Sequence, residues 1–478
     1  MKDKFETYKI NNAEFRAKFT LKTADTGSEI KFSKSAIRGM DIEENFLEPF
    51  TNGNIYINNP MDFIEDGALV RGDGKDIFEI EFFNVDTGEP EGGGFAVRKP
   101  LKYKFVISSE VNSASQTDRL NNFKIYSLMD VNYHRLNAEI PFGKRYRGSV
   151  GAIIRNILTQ FSIPMGDGEN WEDGEMVVDL LPEHILPPDT FRYSDLILYL
   201  LKLNYKTVGE TYVKLFLNWC RTCDAFLYRP LSDYIKDAAK TPQELFMAND
   251  LVKQIQSNPN NPATAPGKTA MNVYNAPLQN TDLSTPMLTY TNAYLNNMLV
   301  SDYDPILGEH KIKLLRIKDI KKEWKKYFVD VFKYTSGPAQ PWLVLNDIKT
   351  TKVFRPIGFP FTGGDNKSSK IAEAELTTNM TFFNLQLNFD TLGNVSREPG
   401  TGIDIAASRP QKEKDGTDHR SDSKLLGTWF VTKVRHEFTT AKVDGYKNIL
   451  QCIKPHIGPG SPAPKDSGGS SYVGQHGG

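Results

Sequence analysis

Cysteine is scarce in this chain of 478 residues. With only Cys220, Cys223 and Cys452 present, at most one disulfide can form, so stability must come from packing and subunit contacts. Long apolar runs are missing too. The longest, Leu196 to Leu203 around Lys202, falls far short of the roughly 20 residues a membrane helix needs, which excludes a helical span. Net charge is nearly absent: 58 Lys and Arg against 59 Asp and Glu leave −1. No global field would draw nucleic acid or an anionic membrane to such a chain, and its partners are expected to be proteins. The start, Met1-Lys2-Asp3-Lys4-Phe5-Glu6, lacks the apolar segment and cleavage site of a secretory signal, which predicts assembly in a cytoplasm.

Signatures of chemistry are also few. No Gly-x-x-x-x-Gly-Lys-Ser/Thr string or dinucleotide glycine fingerprint opens a helix, so nucleotide binding has no local support. The seven histidines are scattered, and none stands in a His-Glu-x-x-His cluster. His436, central in a predicted hairpin, reads as a hydrogen-bonded packing residue rather than a base. No carboxylate among the 59 acidic residues has a setting that singles it out for hydrolysis. No catalytic residue and no cofactor is therefore predicted. Cys220-Arg221-Thr222-Cys223, preceded by Trp219, is the one string that invites another reading. It could be half a zinc site or a redox motif, yet a closed zinc site needs four ligands and no second pair exists. Both cysteines fall inside a helical stretch predicted at about Thr211 to Leu227. Small buried side chains are the favoured reading, with Cys220 and Cys223 kept as candidate metal ligands.

A hydrophobic fraction of 39% and an aromatic fraction of 11% describe a folded chain long enough for two to four domains. The first part alternates apolar and polar residues with the period of a half-buried strand, at Phe15–Leu21 and at Leu101, Tyr103, Phe105 and Ile107. Gly53–Ile57 and Ile77–Phe83 are further strands bounded by turn residues. The period then becomes helical: Val150, Ile153, Ile154, Ile157, Leu158 and Phe161 share a stripe, with Ser149 placed as the cap. Tyr193 to Leu203 is a second helical stretch. Residues Ser257 to Gly267 read as a linker or exposed loop, and Ile317, Ile320, Trp324, Tyr327, Phe328 and Val331 form another helical stripe with a lysine-rich opposite side. Strand alternation resumes at Phe383, Leu385, Leu387 and Phe389, and continues through Gly427–Phe438 and Tyr446–Ile453 as a hairpin. After Pro455 the chain is a Gly/Ser tail.

The order of elements suggests a non-enzymatic assembly part with a β module near each end. Glu48-Pro49 leads through Thr51, Asn52 and Gly53 to Ile55 and Ile57, and Glu398-Pro399 leads through Gly400, Thr401 and Gly402 to Ile403 and Ile405. This is a short hint of internal duplication. The strings Phe46-Leu47-Glu48-Pro49-Phe50, Gly53–Ile57, Asn59–Ile64 and Asp76–Phe82, then Phe123–Leu128 and Lys144–Ser149, resemble the opening of the central hub proteins of contractile phage-tail baseplates. Leu385–Leu387, Arg397–Gly400 and Gly427–Phe438 are similar to the closing strands of that family. The resemblance covers about the first 165 and the last 80 or so residues and leaves 165–375 unmatched.

What the resemblance implies is a β-rich α+β chain with two tail-tube-like antiparallel β-barrel modules and a mixed helical region between them. The domains would run 1–130 (first barrel), 131–240 (mixed, helical), 241–290 (linker or long loop), 291–375 (inserted mixed domain), 376–456 (second barrel) and 457–478 (tail). It further implies a homotrimer whose six barrels meet the tail tube or its initiator, seat the spike, adjoin baseplate wedges and surround passing DNA, with no membrane insertion. Such a chain belongs to the tail baseplate of the virion. Tyr56, Phe83 and Trp429 are the candidate interface positions, as large rings on strand faces that a lone barrel would leave outside. A wedge, adaptor or tube-terminating protein, or a virion-borne cell-wall hydrolase, are the alternatives.

Overall fold

The computed structural model describes residues 6–10, 13–24, 27, 29–33, 35–58, 76–85, 101–112, 123–182, 191–240, 242–246, 279–284, 297–304, 309–316, 319–320, 351–354, 367–382, 385–395, 397–406, 427–440 and 445–454. The Pro-rich stretch at 257–267, most of the helical stripe after Ile317 and the Gly/Ser tail lie outside them.

The N-terminal part contributes strands β1 (Glu6–Ile10), β2 (Ala13–Lys22), β3 (Glu29–Lys31), β4 (Ile37–Asn45), β5 (Glu48–Asn58), β6 (Ile77–Val85), β7 (Leu101–Asn112) and β8 (Phe123–Asp130). Alternation decides which face each buries. Ala17, Phe19 and Leu21 of β2 point with Phe78, Ile80 and Phe82 of β6 and with Ile55 and Ile57 of β5 into one core, while Lys22 and Glu79 pair at 2.8 Å on the outer face.

A mixed region follows: α1 (Val131–Asn137), β9 (Tyr146–Ser149), α2 (Val150–Gln160), β10 (Val177–Leu180), α3 (Tyr193–Leu203), β11 (Lys206–Val208), β12 (Thr211–Val213), β13 (Leu215–Cys220), β14 (Ala225–Pro230) and α4 (Leu231–Lys240). Helix α2 is the predicted one, with the Ser149 hydroxyl accepting from the Ala152 N–H at its start. The predicted helix over Tyr193–Leu203 is α3. The helix expected at Thr211 to Leu227 is instead two strands, β12 and β13, and the beginning of a third. Leu215 and Leu217 face the core of the mixed region, whereas Phe216 packs on the opposite side with Phe46. A strand buried on both faces is apolar throughout, and periodicity does not separate it from a helix.

The remaining elements are β15 (Gln243–Phe246), β16 (Gln279–Ser284), β17 (Asn297–Asp304), β18 (Glu309–Leu315), β19 (Thr351–Phe354), α5 (Lys367–Phe382), β20 (Leu385–Leu392), β21 (Gly402–Ala406), β22 (Gly427–Thr439) and β23 (Tyr446–Lys454). Among the described residues, fourteen strands make one sheet in the order β1-β2-β6-β7-β8-β5-β4-β22-β23-β20-β16, with β3 on β2, β21 on β22 and β15 on β21. The N- and C-terminal parts are continuous through β4 and β22, which pair antiparallel from Lys433 opposite Asn45 to Thr439 opposite Gly39. Gly39 is required there, since a Cβ at that position would lie 2.6 Å from the Phe438 carbonyl oxygen. The C-terminal strands line a second core of Leu387, Phe389, Ile403, Ile405, Trp429, Val431, Val434, Leu450 and Cys452. The two similar strings thus enter separate cores, Ile55 and Ile57 the first, Ile403 and Ile405 the second. Their neighbours differ: β5 lies antiparallel between β4 and β8, while β21 lies between antiparallel β22 and parallel β15. A fourth core gathers Phe46, α4, α5, β17 and the reverse sides of β22 and β23 at Phe430 and Ile453.

Candidate functional site

The tip of the β13–β14 hairpin reaches the point where the two sheet cores meet. Cys220 pairs with Ala225 at the end of the ladder, and Arg221–Asp224 turn the chain, with Asp224 in the left-handed region at φ 52°. The turn carries Arg221 into a closed polar cluster in which Arg221 is 8% and Glu44 7% exposed.

Glu44 comes from β4, where Met40 and Ile42 precede it on the inward phase. One guanidinium nitrogen of Arg221 donates to both Glu44 oxygens at 3.1 Å and to the Tyr103 hydroxyl at 2.9 Å. The other donates to the carbonyls of Val395 and Arg397 at 2.8 and 2.9 Å. Glu398 clasps the turn itself, accepting from the Arg221 N–H at 3.2 Å and from the Thr222 hydroxyl at 2.7 Å. A single hairpin tip therefore ties the N-terminal sheet to the segment that leads into β21. Geometry of this kind, a planar fork meeting carboxylate and carbonyls together, is available to arginine and not to lysine.

On the far side of Glu44 stands His436 of β22, 1% exposed, with Nε2 3.4 Å from Glu44 Oε2, a distance too long for a well-formed hydrogen bond. Asn448 fixes its tautomer. The Asn448 side-chain oxygen accepts from the Asn394 N–H at 2.6 Å and from Arg397 at 2.8 Å, so its amide nitrogen is the atom 2.9 Å from His436 Nδ1. Nδ1 is then an acceptor, and the ring proton sits on Nε2 toward Glu44. Tyr446 closes the cluster, its hydroxyl 2.9 Å from the same Nδ1 and its ring stacked on the imidazole. Gly393 makes room for that ring, because a Cβ there would fall 2.0 Å from it.

Burial opposes ionisation of Glu44, but the Arg221 charge and the His436 contact outweigh it and hold the carboxyl below its usual range. Burial likewise opposes the Arg221 charge, and Glu44, Tyr103 and Glu398 reverse that and raise it. Burial pushes His436 down despite Glu44, keeping it neutral, and pushes Arg397 down to about 10. Burial and the Glu44 charge push the Tyr103 hydroxyl well up. The cluster thus gathers the Arg221 and Arg397 guanidinium groups, the Glu44 carboxylate, the Glu398 side chain and a neutral imidazole, with Arg221, Glu44, Arg397 and His436 buried. It binds three parts of the chain together.

Of the residues singled out by sequence, His436 is the buried, hydrogen-bonded packing residue expected. Cys220 and Cys223 lie on the hairpin turn rather than in a helix, half-buried and exposed respectively. Among the described residues no group of three or more potential ligands stands near them. Tyr56 is half-exposed on β5, its hydroxyl raised by burial and by Asp41. Phe83 sits in β6 opposite Arg16. Trp429 corrects the expectation of an outward ring: it is 0% exposed in the second core, on the β22 phase shared with Val431 and opposite Ile403.

No family model matches the chain, and no curated protein does. Solved structures similar to it include tail proteins and a secretion-system component. The tail protein of Neisseria meningitidis MC58 is 11% identical at TM-score 0.49, covering 92% of this chain and 96% of its own. The 43 kDa tail protein of prophage MuSo2 from Shewanella oneidensis is 8% identical at TM-score 0.48, covering 92% and 98%. An Escherichia coli component of the type VI secretion system, described as structurally similar to phage T4 tail proteins, is 9% identical at TM-score 0.38, covering 93% and 79%. These are loose global likenesses, so the functional reading rests on the chain's own residues.

Proposed function

We propose that this chain is a structural hub of a contractile-tail baseplate, a homotrimer that adapts the six-fold tail tube to the three-fold spike. The observation that carries the reading is the pair of strand-lined cores in one chain, joined through β4 and β22 and each receiving an Ile-x-Ile strand after a Glu-Pro string. A closed three-fold assembly matches a six-fold one only by presenting its joining module twice per subunit. The two modules, about 1–130 and 376–456, would each act as a tube-like barrel, with the mixed region 131–240 outside the ring. The buried junction supports this by holding the modules at a fixed mutual angle, as a ring of defined radius requires.

Partners follow from that geometry: the tube or its initiator above, the spike below, wedges at the rim, and DNA passing through without sequence-specific contact. Tyr56 on β5 and Phe83 on β6 are the positions offered to neighbours. No catalytic step belongs to this role. The chain works in the virion after assembly in the host cytoplasm. Imaging of the assembled tail tests the reading: three copies at the tube–spike boundary are expected, and six copies in a peripheral ring would replace the hub with a wedge or adaptor.

A further inference from the structure

The hairpin tip that delivers Arg221 also carries two thiols that the junction leaves unused. The Cys223 N–H donates to the Cys220 carbonyl at 3.2 Å and to the Cys220 Sγ at 3.3 Å. The first of these bonds closes a β-turn, which keeps the two Cα atoms within about 7 Å, near the spacing a disulfide spans. The second draws the Cys220 sulfur back over the turn toward Cys223. Between the two lie Arg221 and Thr222, whose side chains are both committed to carboxylates of the junction. Cys223 is exposed and Cys220 half-buried, whereas Cys452 is buried in the second core.

We propose that Cys220 and Cys223 form a redox pair, which a small-molecule disulfide closes into an intraloop disulfide around Arg221 and Thr222. The exposed Cys223 thiolate attacks oxidised glutathione, forming a mixed disulfide and releasing one glutathione thiol. The Cys220 thiolate then attacks the Cys223 sulfur and expels the second glutathione. Two electrons pass from the protein dithiol to glutathione disulfide, and the two thiol protons end on the two glutathione thiols. Burial, Glu398 and Cys223 together push the Cys220 thiol up, so the second step accelerates with rising pH. The dithiol belongs to a reducing cytoplasm and the disulfide to an oxidising exterior, so closure would harden the clasp once the protein leaves the cell. This holds whatever the oligomeric state.

The test incubates the full chain with oxidised glutathione, blocks remaining thiols by alkylation and maps the peptides by mass spectrometry. Expected is a peptide bearing both Cys220 and Cys223, lighter by two hydrogen atoms and unalkylated, with Cys452 still a free thiol. Hydrogen exchange across the Arg221–Thr222 turn should slow on the order of tenfold on closure, the scale of a short disulfide loop, and Cys223→Ser should abolish both effects. Recovery of both thiols alkylated, or of a lasting glutathione adduct on Cys223 with Cys220 still alkylatable, would overturn the pair. A closed disulfide with unchanged exchange would overturn its role in the clasp.

Discussion

Arg221→Met is the substitution that probes the junction most sharply. Methionine retains much of the apolar stem but offers no donor, leaving the Glu44 carboxylate, the Tyr103 hydroxyl and the Val395 and Arg397 carbonyls without their shared partner. Removing one member of a buried ion pair costs about 3–5 kcal/mol, and the loss of the donations to two carbonyls puts this case toward the upper end. A chain with several cores need not unfold in one step, so the readout is local: native-state hydrogen exchange at β4 and at the hairpin tip in mild urea. Adding Glu44→Gln in the same chain should return at least half of the loss, because the unpaired buried charge is then gone. A cost below about 1 kcal/mol for Arg221→Met, the scale of a solvated surface pair, would refute the closed junction. Acid should act on the same cluster. Glu44 is held below its ordinary 4.5 and His436 below its ordinary 6.5, and a depressed folded value gives stability present above the unfolded value and lost as pH falls. The junction is therefore at full strength above about pH 6.5 and weakens progressively below it, first through His436 and then through Glu44.

Asp130 runs the opposite way. Its carboxyl caps α1 by accepting from Asn132 and Tyr133, yet burial pushes it up to about 6. Its stabilisation is full below the unfolded 3.8 and lost as pH rises through about 6. Asp130→Asn, which keeps the cap, should therefore gain about 1–2 kcal/mol at pH 8 and little at pH 4, measured by thermal melts. Phe46→Ala removes a ring stacked edge-on to Tyr234 and Phe430 at 4.9 and 5.1 Å, and urea titration should record a loss of about 3–5 kcal/mol. Gly402→Ala would bring a Cβ to 2.0 Å from the Ala238 carbonyl oxygen, prising α4 from β21 at a cost of about 1–3 kcal/mol in the same titration.

Much of the β framework was legible because its strands bury one face. Phe389 and Leu387, or Phe78, Ile80 and Phe82, announce themselves by alternation, and α2 by its stripe and its Ser149 cap. The hairpin β13–β14 was not legible, since cores on both of its faces erase the alternation. Helix α5 was hidden for a related reason: Ser368, Ser369, Ala372, Ala374 and Thr377 are small and buried around most of its circumference, so no apolar stripe marks it. The junction was half legible. Glu44 follows Met40 and Ile42 on an inward phase, and His436 falls between Val434 and Phe438 on another, so each is a polar residue where an apolar one is due. Nothing local marks Arg221, whose partners Glu44 and Glu398 each lie 177 positions away. Trp429 was assigned to the wrong side because alternation defines two faces without saying which is inside.

Light scattering of the purified full chain at micromolar concentration bears most directly on the paired modules. A particle of three times the 53.9 kDa chain mass is predicted. A species of one chain mass that persists when spike protein is added would contradict it.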